Sequence, residues 1–163
     1  MKEIQGQLDA TGLRFAIVAS RFNEIVVEPL VRGAVETLLR LGAEDDRITL
    51  LRVPGAFEIP GVAERAARSG QFDAVICLGA VIRGATPHFD WVAGEAARGI
   101  GRLAATAAIP VIFGVLTTDT LEQAIERAGS KAGNKGTDSA FAAVEMAQLY
   151  RKIAQWNGAD HDR

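Results

Sequence analysis

The sequence predicts a three-layer α/β/α fold around a four-stranded parallel sheet, and three observations carry that expectation. Short β-rich runs alternate with longer segments of helical period. The run Ala74-Val75-Ile76-Cys77-Leu78 is continuously apolar, as a strand covered on both faces must be. Right-handed crossovers between successive strands then put helices on both sides of one sheet.

The elements follow in order. Ile4-Gln5-Gly6-Gln7-Leu8 is a short β segment ahead of Gly12, able to pair on a sheet edge of its own chain or of a neighbour. Leu13–Ser20 is the first strand. Glu24–Leu41 is a helix whose Val27, Leu30, Val31, Ala34, Val35 and Leu38 form a wide apolar stripe. Arg47–Val53 is the second strand and Ile59–Arg68 a helix. Asp73–Gly79 is the third strand, and Pro87–Thr106 a helix with Phe89, Val92, Ala93, Ala96, Ile100 and Leu103 on one side. Pro110–Leu116 is the fourth strand, followed by helices near Thr120–Ala128 and Asp138–Trp156. The last helix carries one apolar edge through Phe141 and Val144 and another through Ala142, Met146, Leu149 and Ile153. One edge can face the sheet; the other requires a larger internal core or a partner. No internal repeat or linker divides the chain, so a single domain is expected over 1–163, with an N-terminal arm at 1–12 and a polar tail at 157–163.

A domain of 163 residues buries roughly 70% of its unfolded surface, enough for a substantial core. The net charge of −2 argues against a nucleic-acid partner. No apolar run reaches the ~18 residues that cross a bilayer, and Met1-Lys2-Glu3-Ile4 lacks the apolar core of a signal peptide. A cytoplasmic protein without membrane contact is the expectation. The single cysteine, Cys77, sits among strand-type residues and reads as packing. His88 and His161 are far apart, and no group of His, Cys and carboxylates has metal-ligand spacing, so no metal is expected.

Ligands of open parallel sheets bind beyond the carboxyl ends of the strands. Those ends read Ser20-Arg21-Phe22-Asn23, then Pro54-Gly55-Ala56-Phe57-Glu58-Ile59-Pro60, then Gly79-Ala80-Val81-Ile82-Arg83-Gly84-Ala85-Thr86-Pro87-His88. Glycines for close approach, aromatics, one carboxylate, one histidine and hydroxyl or cationic groups suit an aromatic, polyhydroxylated, partly anionic ligand. Thr86 as cap and Pro87 as first helical residue place His88 in an opening turn, where it can exchange protons or simply hydrogen-bond. Phe22 can stack on a planar ring or staple the following helix. Glu58 can accept ligand hydroxyls or complement a helix dipole. Phe113, in the fourth strand, reads from the residues as plain core before a site role, and Arg127, Lys131 and Lys135 read as a phosphate site or as surface cations. Two patterns are discounted. Gly99-Ile100-Gly101-Arg102-Leu103-Ala104 lies inside a helix, and Gly129 to Thr137 follows a helix instead of a strand, so neither is a nucleotide motif.

Several long motifs recur in order along nearly the whole chain: Arg21-Phe22-Asn23, Val53-Pro54-Gly55-Ala56-Phe57-Glu58-Ile59-Pro60, Leu78 through Asp90, Pro110-Val111-Ile112-Phe113-Gly114, Glu122 through Gly129, and Lys131-Ala132-Gly133-Asn134-Lys135-Gly136. In them the chain resembles the 6,7-dimethyl-8-ribityllumazine synthases, which implies a flavodoxin-like fold and a transferase of riboflavin biosynthesis. The implied reaction condenses 5-amino-6-(D-ribitylamino)uracil with 3,4-dihydroxy-2-butanone 4-phosphate, without a cofactor. The resemblance assigns Phe22 to stacking on the pyrimidine, and Ala56, Phe57 and Glu58 to the ribityl chain. Ala80, Val81 and Ile82 meet the uracil edge; Ala85 and Thr86 hold the butanone phosphate with Arg127, assisted by Lys135; His88 shuttles protons. Phe113 closes the uracil pocket and, like Arg127, comes from an adjacent subunit. Pentamers are implied, a 60-subunit icosahedral shell in some members, and riboflavin synthase is a candidate partner. A noncatalytic lumazine or flavin carrier and a purely structural shell protein are the rival readings on the same fold.

Overall fold

A computed structural model describes the backbone of residues 1–159 and the side chains of residues 1–156. His161 and the end of the tail lie outside the described residues. The elements are β1 (Phe15–Ser20), α1 (Glu24–Arg40), β2 (Ile48–Val53), α2 (Ile59–Arg68), β3 (Ala74–Ile82), α3 (His88–Thr106), β4 (Val111–Thr118), α4 (Leu121–Arg127) and α5 (Lys135–Ala159). All strand pairs are parallel, in the order β2-β1-β3-β4. This is the expected flavodoxin-like arrangement.

Alternation along the strands divides the apolar residues between two cores. Phe15, Ile17, Ala19, Ile76 and Leu78 face α1 and α5, meeting Val27, Leu30, Ala34 and Leu38 from one helix and Ala143, Val144 and Ala147 from the other. Ala16, Val18, Val75, Cys77 and Val115 face α2 and α3, against Ile59, Ala63, Ala96 and Ile100. Side chains such as Ile17, Ile76 and Leu78 are fully buried, each stabilising the fold by about 1.5–3 kcal/mol relative to exposure.

The helices α1 and α5 touch backbone to backbone. A Cβ on Gly136 would fall 1.9 Å from the Leu30 carbonyl oxygen, so only glycine permits this approach. Of the two apolar edges expected on α5, only Val144 is among the buried residues, where it joins a stripe of small ones. Ala140, Ala143, Val144 and Ala147 are buried, whereas Phe141 is exposed. Close helix packing selects small side chains and leaves the larger ones outside.

Two strands run further than expected. Ala80, Val81 and Ile82 pair with Leu116, Thr117 and Thr118, so β3 and β4 extend each other past the points where each ends when read alone. Gly79 does not end β3; it leaves room for Ile59 and Ser20, whose atoms would lie 3.0 and 3.1 Å from an added Cβ. The N-terminal segment pairs with no strand among the described residues. It lies along α5 instead, where Gln148 Nε2 donates to the Asp9 carbonyl (2.6 Å) and Lys152 Nζ to that of Gln5 (2.8 Å).

Asp73 ties the start of β3 to neighbouring segments. Its Oδ2 accepts from the Arg14 backbone N–H (2.8 Å) and Nε (3.2 Å), and its Oδ1 from Arg151 (3.2 Å). Burial opposes its ionisation, but the Arg14 hydrogen bonds and the charges of Arg14 and Arg151 outweigh it and hold the carboxyl below its usual range.

Candidate active site

A pocket of about 640 Å³ opens at the carboxyl ends of β1, β2 and β3. Strand order there turns from β2 on one side of β1 to β3 on the other, the position where parallel sheets bind ligands.

Its walls grow directly out of the ladder. Beyond β1, the Arg21 N–H donates to the Val53 carbonyl (2.8 Å) and the Phe22 N–H to that of Pro54 (3.0 Å), splicing the first loop to the second. Asn23 then turns the chain into α1 with φ of 61°, the one positive φ outside glycine among the described residues. Asparagine tolerates that conformation better than bulkier residues do. Its Nδ2 donates to the Ala80 carbonyl (2.8 Å), joining the loop to the end of β3. Phe22 is left 73% exposed at the pocket, too open for a packed staple.

Beyond β2, a 3-10 turn over Ala56–Glu58 leads into α2. Glu58 Oε2 accepts from the Gly55 N–H (2.9 Å), so the carboxylate braces its own turn while lining the pocket. Phe57 stands exposed beside it. The end of β3 contributes Ala80, Val81 and Ile82, and the turn into α3 contributes Thr86 and His88. Thr86 is not the expected cap. Pro87 flanks the helix, no side chain caps it, and His88 is the first helical residue.

The structure therefore brings Phe22, Ala56, Phe57, Glu58, Ala80, Val81, Ile82, Thr86 and His88 to one pocket. Ala85, Phe113, Arg127 and Lys135 do not line it. Phe113 is 39% exposed on β4, which corrects its reading as plain core. Arg127 ends α4 with Nη1 donating to the Gln123 carbonyl (3.0 Å), and Lys135 opens α5. The loop between them is organised by Asn134. Its Nδ2 donates to the carbonyls of Pro29 (3.0 Å) and Ala128 (3.2 Å), and its Oδ1 accepts from the Gly136 and Thr137 N–H groups.

Sequence reasoning did not single out Asn23, Trp91 or Val92, which also line the pocket. Trp91 follows His88 by three residues and so shares its face of α3, a spacing that could have flagged it. Cys77 is fully buried and its thiol is pushed up to about 12 by burial, so it stays protonated near neutral pH. No group of three His, Cys, Asp or Glu suited to a metal occurs among the described residues. None of the helices described is long and apolar enough to cross a membrane.

A parallel sheet covered on both faces, with an apolar, aromatic-rimmed pocket holding one imidazole and one carboxylate at its switch point, defines an α/β domain for a small planar ligand. Residues 12–151 match the family model for 6,7-dimethyl-8-ribityllumazine synthase. The chain is 56% identical over 153 residues to the 6,7-dimethyl-8-ribityllumazine synthase of Chlorobaculum tepidum and 57% identical to that of Chlorobium phaeobacteroides. Both alignments cover 94% of this chain and 99% of the relative. The chain belongs to the 6,7-dimethyl-8-ribityllumazine synthase family.

Proposed function

We propose that the pocket condenses 5-amino-6-(D-ribitylamino)uracil with 3,4-dihydroxy-2-butanone 4-phosphate, and that each site is shared by two copies of the chain. The observation that carries this reading is the division of the candidate residues. The pyrimidine, ribityl and proton-handling groups meet in one pocket, while Phe113, Arg127 and Lys135 lie outside it. A neighbouring copy supplies the missing half.

The pyrimidine stacks on Phe22, its ribityl chain runs along Ala56, Phe57 and Glu58, and Ala80, Val81 and Ile82 meet its edge. Ala85 and Thr86, with Arg127 and Lys135 of the neighbour, hold the phosphate, and the neighbour's Phe113 closes the ring pocket. The substrate amine adds to the ketone and expels water as the imine forms. Loss of the proton on the adjacent carbon then drives phosphate out with the electrons of its C–O bond, and ring closure expels a second water. The nucleophile is already on the substrate, so no activated side chain is required, and His88 carries protons between steps. Much of the acceleration comes from holding both substrates within reach, with His88 adding about 10²-fold. A guanidinium that grips phosphate through two N–H groups keeps the leaving group neutralised.

The heterologous contact closes into a pentamer by rotation. The compact loop from Gly129 to Gly136 supports further closure into a 60-subunit icosahedral shell, acting in the cytoplasm with riboflavin synthase as partner. Mixing the purified protein with both substrates tests the reaction. Lumazine fluorescence and free phosphate should appear together, and the native mass should be that of pentamers or their multiples. A protein that binds lumazine but releases no phosphate is a carrier, and the reading fails.

A further inference from the structure

Arg83 lies just past β3 and begins the turn that leads to His88. Its backbone N–H donates to the Thr118 carbonyl (2.9 Å), carrying the β3–β4 ladder one residue further. Its Nε donates to Asp119 Oδ1 (3.0 Å) and its Nη1 to Asp90 Oδ1 (3.3 Å). The guanidinium carbon sits 4.2 Å from the centre of the Phe89 ring, within cation–π reach. One planar side chain thus joins the end of β3, the first turn of α3 and the connection from β4 to α4.

The Arg83 side chain is 45% exposed and its carboxylate partners more so. Ion pairs this open contribute little to folding. Their effect lies in direction. No side chain caps the start of α3, since Thr86 does not reach it and Pro87 occupies the cap position. The residues Arg83 grips, Phe89 and Asp90, immediately follow His88. Phe89 also lines the pocket.

We propose that Arg83 is a positioning residue, which aims Thr86 and His88 into the pocket by clamping the opening turn of α3 to the β4–α4 connection. The inference rests on the reading above, in which His88 moves protons. Misplacing such a group costs rate more than affinity.

Steady-state kinetics and binding of each substrate to the assembled protein test it. Arg83→Gln should lower kcat by about 10-fold while leaving the KM for the pyrimidine within about twofold, a split that a merely structural role would not produce. Arg83→Lys keeps the charge but loses the fork and the planar stack, so it should recover only a small part of the loss. Asp119→Asn opens the same clamp from the other side with Arg83 in place, and serves where Arg83→Gln does not fold. Combining Arg83→Gln with Asp119→Asn should cost little beyond the larger single effect. Wild-type-like kcat in Arg83→Gln, full rescue by lysine, or multiplicative effects in the double variant would overturn the proposal. An inactive wild-type protein in the same assay would instead sink the reaction on which it rests.

Discussion

At the β1–β3 end of the sheet, three loops are stitched together by the Arg21, Phe22 and Asn23 hydrogen bonds, and a pocket is formed within one chain. At the β4 end, Phe113, Leu121, Ile125 and Phe141 are exposed, and among the described residues the Arg127 side chain bonds only its own helix. Both ends belong to the same ladder, so the difference does not come from folding quality. Hydrogen bonding finishes one site locally, whereas the exposed aromatic and aliphatic groups beside a cation are the surface that the proposed neighbouring copy would cover.

The sharpest way to break this comparison is mixing. A Phe22→Ala, His88→Ala double variant and an Arg127→Ala variant should each be nearly inactive, yet regain activity when co-assembled, because some interfaces combine two intact halves. Mixed particles as dead as their parents, with subunit exchange demonstrated, would show that each chain's site is self-contained. A smaller effect separates the substrates. Arg127→Ala should raise the KM for the phosphorylated butanone by about 10²-fold, as a charge-assisted contact is lost, with little change for the pyrimidine. An equal rise for both would assign Arg127 a structural role, and Arg127→Lys should substitute poorly. Within the pocket of one chain, His88→Ala should reduce turnover by about 10- to 10²-fold while substrates still bind; unchanged turnover at every pH would remove the imidazole from the chemistry.

The smallest effect concerns stability away from both regions. Asp73 is ionised more readily in the folded chain than its usual value of 3.8, so its pairing stabilises the fold above that pH. That contribution is lost as pH falls through the lower, folded value. Asp73→Asn should therefore cost about 1 kcal/mol at neutral pH, after allowance for partial exposure. Thermal unfolding should show the difference from wild type shrinking in strong acid. A pH-independent difference would mean that the bonds to Arg14 do not require the charge.

Periodicity made the order of strands and helices readable, and α2 occupies the residues expected of it, Ile59–Arg68. Features that depend on two segments at once were not readable. The shared extension of β3 and β4 comes from pairing, and the buried alanine stripe on α5 comes from the close approach of α1 at Gly136. The arm illustrates the same limit, because its β-like pattern says nothing of the α5 side chains that bind its carbonyls. Of the residues the resemblance assigns to substrate, Phe22, Ala56, Phe57, Glu58, Ala80, Val81, Ile82, Thr86 and His88 share one pocket, and Ala85, Phe113, Arg127 and Lys135 do not line it. Trp91 escaped because an aromatic on a helix next to an apolar stripe looks like core, yet it is 68% exposed.

Cys77, inert toward the proposed chemistry, marks the centre of the sheet on the face covered by α2 and α3. A thiol reagent in solution can reach it only when that layer opens, and the labelling rate then reads the frequency of opening. The chain so carries a built-in clock for its least accessible motion, at a position where no probe need be engineered.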